Sequence, residues 1–274
     1  MKRNVFQGGS ESDLQRVMQV GDFPTVEIEG VKVPKLLIGI NSLLGWSHTS
    51  AGRDRWIVRY YTARNIAKVF ERCMELGVYG VLGPVWPGLL QAIGIAERET
   101  GQKMMLVSTT IGEIKDTEKQ LRMLRGVNSP ICCIHGAWSD SWPVRNGKLV
   151  GLQTYLGMIR EAGLIPGLAC HNGDRLSMVD KGGYDVSVFV TPINKAGFYM
   201  NPTQKSSLDA IGGTKKPVIA IKPLASGRFD EGKVREWLEW ALSQRGVSAL
   251  CVGFMNEEEA EEDIANMKAI LGVP

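Results

Sequence analysis

Ile131-Cys132-Cys133-Ile134-His135 and, further on, Ile165-Pro166-Gly167-Leu168-Ala169-Cys170-His171 are two apolar runs too short for a helix, and each closes on a histidine. Neither alternates polar with apolar residues, which is the pattern of a strand buried on both faces of a parallel sheet. Between them lies a segment of helix length. The same alternation extends outward in both directions: short apolar runs at 36–40, 79–82, 103–108, 131–135, 165–170, 186–190, 218–222 and 249–252 give eight strand and helix units. Helical spacing is visible between the runs, in Val234, Trp237, Leu238, Ala241 and Leu242, and in Ile66, Val69, Phe70, Cys73 and Gly77. Asn201 before Pro202, and Asn256 before Glu257, Glu258 and Glu259, read as helix starts. Eight such units in about 240 residues predict an α/β fold, a (β/α)8 TIM barrel, with a doubly wound sheet as the competing architecture.

Residues 25–29 and 31–33 flank Gly30 and predict an N-terminal β-hairpin that closes the bottom of the barrel. The expected organisation is one domain over 1–274, made of an arm (1–23), the hairpin (24–34) and the barrel (35–274). A chain of this size buries roughly three quarters of the surface its unfolded form exposes, so it needs no disulfide or structural metal to fold. The five cysteines are odd in number and lie mostly in apolar runs, which points to buried thiols in a reducing, cytoplasmic setting. Residues 76–96 carry no charge and have the length of a membrane span, but five glycines with Pro84 and Pro87 divide them into a strand, a turn and a helix start. A formal charge of +3 without a basic run argues against nucleic acid and membrane partners and for a small-molecule substrate, and leaves the oligomeric state open.

In a barrel of this type the chemistry belongs to the loops that follow the strands. Five of the seven tryptophans (Trp46, Trp56, Trp86, Trp138, Trp142) fall there, as does every histidine: His48 after the first strand, His135 ending the fourth and His171 ending the fifth. Trp46, Trp86 and Trp138 are expected to wall a pocket for a sugar face or a flat ring. His48, His135 and His171 are candidate ligands of one divalent metal, with Asp140 a nearby acid. Lys222, directly after the seventh strand, is a candidate for amine chemistry or anion binding. Gly227 and Gly253 allow close backbone approach, Arg228 offers a fork for a phosphate, and Arg55 belongs to a polar first loop, 41–61, read as a lid.

Taken together, several of these stretches resemble the aldo-keto reductase superfamily. Val33-Pro34-Lys35-Leu36-Leu37-Ile38-Gly39 is similar to that family's barrel entrance, Ile134-His135-Gly136 to its fourth strand, and Lys222-Pro223-Leu224-Ala225-Ser226-Gly227-Arg228 to its seventh-strand loop. The segment 246–267 is similar to its C-terminal signature. The resemblance implies the (β/α)8 barrel, an NAD(P)H cofactor, His135 as the catalytic histidine, and Leu224, Gly227 and Gly253 at cofactor-loop positions. The family's Asp and Tyr after the second strand and its Lys ending the third have no counterpart: Gly83-Pro84-Val85-Trp86-Pro87-Gly88 and Val107-Ser108-Thr109-Thr110 stand there. Asp263 stands where the family usually carries an Asn, in an acidic helix that opposes a 2′-phosphate.

Three functions therefore stay open from sequence. The first is a metal-dependent lyase, isomerase or hydrolase acting on a small sugar-like or carbonyl substrate, with His135, Lys222 and Asp140 as its catalytic groups. The second is a divergent aldo-keto reductase-like NAD(P)H oxidoreductase, and the third a non-catalytic barrel binding protein.

Overall fold

Each predicted apolar run forms a strand in the computed structural model, which describes residues 23–230 and 232–274; residues 1–22 of the expected arm lie outside them. A hairpin, β1 (Thr25–Ile28) and β2 (Val31–Pro34), precedes β3 (Leu36–Gly39). Three helices follow, α1 (Asn41–Leu44), α2 (Ala51–Tyr60) and α3 (Ala63–Glu75). The next units are β4 (Gly80–Pro84), α4 (Pro87–Thr100), β5 (Met105–Thr110), α5 (Ile114–Met123), β6 (Ile131–Ile134) and the short α6 (Gly136–Ser139). A small antiparallel pair, β7 (Val144–Arg145) and β8 (Lys148–Leu149), interrupts the alternation before α7 (Leu152–Glu161). The chain continues with β9 (Ile165–Ala169), α8 (Gly173–Lys181), β10 (Val188–Pro192), α9 (Gln204–Gly213), β11 (Val218–Ile221), α10 (Val234–Ser243), β12 (Val247–Gly253) and α11 (Glu257–Leu271).

The eight long strands close on themselves in the order β3, β4, β5, β6, β9, β10, β11, β12, and every pairing in the ring is parallel. This is the (β/α)8 barrel; the doubly wound alternative would have left two open edges. Strands apolar at successive positions supply two cores at once. Inward side chains of Leu37, Val107, Ile131, Cys133, Val188, Ile219 and Cys251 fill the interior, while Leu36, Ile38, Leu106, Ile134, Leu168 and Leu250 pack against the helices. Ile28 and Val33 of the hairpin are buried in the interior cluster, so the hairpin plugs the barrel floor.

Helix boundaries follow local chemistry. The charge-free segment 76–96 splits into β4 and α4, with Pro87 in the first turn of the helix, and no helix among the described residues is long and apolar enough to cross a membrane. Asn256 caps α11 by accepting the Glu259 N–H, as its position implied. The start expected at Asn201 is displaced: α9 begins after Thr203, whose hydroxyl accepts the Ser206 N–H. The first loop differs more, since 51–60 is helix α2, started by the Ser50 hydroxyl accepting the Arg53 N–H. All five cysteines are free and buried.

Candidate active site at the barrel mouth

A cavity of about 670 Å³ opens at the C-terminal ends of the strands, bounded by the first loop, the ends of β4, β5, β6 and β9, and the segments after β11 and β12. Its floor is apolar, with Leu82, Val190 and Ile221, and its polar groups sit on the rim. That is the ordinary make-up of a small-molecule site, with apolar walls and a few convergent polar atoms.

All three histidines line this cavity, together with Lys222. His135 occupies the N-cap of α6, and its Nδ1 accepts the Ala137 N–H at 3.2 Å, which leaves the ring proton on Nε2. Burial, with His171 and Lys222 nearby, pushes its pKa down to about 4, so the ring is neutral at physiological pH. His171 follows β9 and packs against Gly136, where a Cβ would stand 2.6 Å from the imidazole Cε1; only glycine admits the ring there. Asp140 accepts the His171 backbone N–H at 3.1 Å and lies 2.7 Å from His171 Nδ1. Its position after α6 is fixed by Ser139, which donates to the Ala169 carbonyl at 2.6 Å, and by Arg175, which donates to the Ser139 and Trp142 carbonyls.

On the opposite side, Lys222 is the first residue past β11 and takes a left-handed backbone, φ 56°. Its Nζ lies 2.8 Å from His48 Nε2 and 5.0 Å from the ring centre of Tyr199. Burial lowers the Lys222 pKa to about 8. Burial and the Lys222 charge lower that of His48 to about 4. Tyr199 stands between the two corners, its ring centre 5.0 Å from His48 and 5.4 Å from His171. Sequence reading passed over Tyr199; the signal available was an aromatic pair after Gly197, on the polar stretch that leaves β10.

The three-histidine metal site is not formed. Among the described residues no three His, Cys, Asp or Glu side chains gather as metal ligands. Lys222, 2.8 Å from His48 Nε2, takes that nitrogen out of a ligand set and puts a cationic group beside it, while the Ala137 N–H and Asp140 hold His135 and His171 at Nδ1. Asp140 therefore orients His171 and does not itself line the cavity.

The remaining candidates divide. Trp46 lines the cavity with its ring edge-on to His135, 6.2 Å between centres. Leu224, Gly227 and Gly253 line it too. Trp86 instead walls a separate apolar pocket of about 350 Å³ with Leu43, Val58 and Tyr61. Trp138 packs against the outer core, its indole N–H buried without a partner among the described residues, and Arg55 is exposed on α2, away from the cavity. Arg228 spends one N–H of each terminal nitrogen on the Ala225 and His48 carbonyls and stacks 4.1 Å over Phe198. That tie, with Arg53 on Met255 Sδ at 2.8 Å and the Tyr61 hydroxyl on the Met255 carbonyl, fastens the segment read as a lid at both ends.

Beyond Gly253 the cavity wall turns acidic. Glu259, Glu262 and Asp263 face it. Asp263 is only 6% exposed, and burial beside the other two carboxylates pushes its pKa up to about 7. At the end of β5, Thr109 lines the cavity with a buried hydroxyl that has no partner among the described residues.

No family model matches the sequence and no curated protein matches it. Solved structures do match over most of the chain. An aldo/keto reductase from Brucella melitensis is 14% identical with a TM-score of 0.62, over 91% of this chain and 99% of that one. The holo form of an aldo-keto reductase from Bacillus halodurans is 12% identical with a TM-score of 0.60, over 90% and 91%. An aldo/keto reductase from Klebsiella pneumoniae, in complex with NADP and acetate, is 15% identical with a TM-score of 0.57, over 89% and 90%. At these identities the likeness is one of fold, and it agrees with the resemblance read from the strand ends.

Proposed function

We propose that the barrel mouth binds a nicotinamide dinucleotide, NAD(H) in preference to NADP(H), and interconverts a small carbonyl compound with its alcohol. The observation that carries this reading is the single cavity that runs from His135 past Lys222 and Gly227 to Gly253 and Asp263, on a barrel shared with reductases described as holo and NADP-bound. The metal-dependent reading has no comparable support, because the ligand set it requires does not assemble.

The residues present fit an elongated ligand. Leu224, Ser226 and Gly227 form one wall in a run of left-handed backbone (Ala225, Ser226, Gly227), which brings main chain rather than bulky side chains to the cavity. Gly253 contributes a second backbone approach. Glu259, Glu262 and Asp263 repel a 2′-phosphate and suit a ribose hydroxyl, which selects the unphosphorylated dinucleotide. When bound, the nicotinamide supplies the two-electron reducing equivalent.

The chain's own groups cover the rest. His135 presents an Nε2–H to the cavity from a neutral ring, a donor suited to hold and polarise a carbonyl oxygen. Lys222, largely protonated at pH 7 with a pKa of about 8, supplies the proton that the reduced oxygen requires. The Thr109 hydroxyl, without a partner among the described residues, offers a further polar contact to a substrate. Trp46 supplies an aromatic wall beside His135.

Titration of NADH and NADPH against tryptophan fluorescence tests this reading. NADH should bind more tightly than NADPH, with the energy-transfer signal lost in Trp46→Phe, and Glu259→Gln/Asp263→Asn should narrow the preference. Failure of both nucleotides to bind at millimolar concentration overturns it.

A further inference from the structure

We propose that Lys222 is also an amine nucleophile, which forms an imine with a small aldehyde or ketone in the cavity while His48 takes up and returns the proton. This needs no dinucleotide and does not rest on the reductase reading. Lys222 differs in what surrounds it from Lys195, after β10, and from Lys216, which precedes β11 at the other end of the barrel. Lys195 pairs with Glu236, and Lys216 lies 3.7 Å from Asp180. Lys222 has no carboxylate partner among the described residues; its polar contact is the imidazole nitrogen of His48 at 2.8 Å. The groups that face it are His48 from the first loop, Tyr199 from the segment after β10, Cys251 from β12, and at longer range His135. None of them is an anion at neutral pH, since burial pushes the Cys251 thiol up to about 12.

A cation held against apolar walls without a counter-charge loses its proton readily, and burial brings Lys222 to about 8, so near pH 7 roughly a tenth of the molecules carry the free amine. The amine also stands in a cavity whose lining suits a small organic carbonyl. Ile221, Leu82 and Trp46 line the same cavity, and the His135 Nε2–H is available for a carbonyl oxygen. Left-handed backbone at Lys222 and at His48 holds both partners in uncommon conformations, the kind of local strain that persists where surrounding structure enforces it.

The step balances without an oxidant or reductant. The Lys222 nitrogen attacks the carbonyl carbon, a C–N bond forms as the C=O π bond breaks, and the first of the two amine protons passes by way of His48 to the alkoxide, which becomes a hydroxyl; the second then follows the same route. The nitrogen passes this second proton to His48 Nε2, the atom that already accepts its hydrogen bond. His48 then returns that proton to the departing hydroxyl, so water leaves and C=N remains. The net change is amine plus carbonyl to imine plus water.

Trapping tests the proposal directly. The full chain is incubated with benzaldehyde and sodium cyanoborohydride at pH 7.5, without nucleotide, and the benzylamine adducts are located and timed by peptide mass spectrometry. The expected result is labelling of Lys222 at least tenfold faster than Lys195 and Lys216, with that adduct missing in both Lys222→Arg and Lys222→Met. His48→Asn should slow labelling at Lys222 by tenfold or more and leave the exposed lysines unchanged. Labelling of Lys222 no faster than of exposed lysines in folded protein, verified by circular dichroism, overturns the proposal. The reductase reading can fail by nucleotide titration with this result intact, and the reverse also holds.

Discussion

The two ends of this barrel treat charge in opposite ways. At the floor, the hairpin seals the interior with Ile28 and Val33, and charged groups stay outside and paired: Arg160 donates to Glu29 at 2.7 Å and to Asp185 at 2.7 Å, all well exposed. At the mouth, His48, His135, Lys222 and Asp263 are held partly or wholly out of water, and burial pushes each toward its neutral form. Backbone strain is distributed likewise. Of seven non-glycine residues with left-handed backbone among those described, His48, Tyr199, Lys222, Ala225 and Ser226 are at the mouth, while Glu29 and Asn146 serve hairpin turns. One end is organised for stability, and the other accepts unfavourable electrostatics that a bound ligand can relieve.

The largest effect should come from breaking the floor. Ile28→Ala removes a side chain 2% exposed in the interior cluster and should cost about 2–5 kcal/mol in urea unfolding, with ligand binding at the mouth unchanged in the protein that remains folded. A loss of binding at equal folded fraction would mean that the two ends are coupled.

At the mouth the sign should reverse. Asp263 has a folded-state pKa raised from 3.8 to about 7, so the fold binds its proton more strongly than the unfolded chain does. Its stabilising effect is complete below pH 3.8 and is lost as pH rises through 7, leaving a buried carboxylate as a liability above that. Asp263→Asn should therefore stabilise the fold at pH 8, by on the order of 2 kcal/mol, and leave its stability nearly unchanged at pH 3.5. Equal effects at the two pH values would remove titration as the cause.

The smallest effect belongs to the exposed network. Arg160→Ala should cost about 1 kcal/mol or less, and the difference from wild type should shrink in high salt, because a pair in water gains little and is screened.

The extent to which sequence revealed this arrangement follows from the range over which each signal acts. Strands buried on both faces announce themselves locally, as Ile131–Ile134 does with no polar residue to interrupt it. Proline and glycine punctuation resolved the 76–96 segment for the same reason. Helix α2 reads as a loop in the sequence because it carries no apolar stripe, and Ile57 is its one buried residue. The gathering of three histidines and Lys222 at one mouth was legible, since each ends or follows a strand and the barrel rule carries them to the same face. Their pairing was not. His48 meets Lys222 across 174 positions and Asp140 meets His171 across 31, and no spacing in the sequence separates a ligand of a metal from a partner of an amine. Arg228 shows the same limit: its fork was visible, but the carbonyls of Ala225 and His48 that occupy it were not.

The central claim, that the mouth holds an ionisable amine away from any counter-charge, is open to one direct measurement. In 15N-labelled protein, the Nζ resonance of Lys222, assigned by its loss in Lys222→Arg, can be followed from pH 6 to 11 beside those of the exposed lysines. Lys222 should titrate near 8, well below the ordinary lysine value of 10.5, and His48→Phe should leave it well below that value, because burial is the main cause of the shift. A Lys222 midpoint that coincides with the exposed lysines would contradict the account.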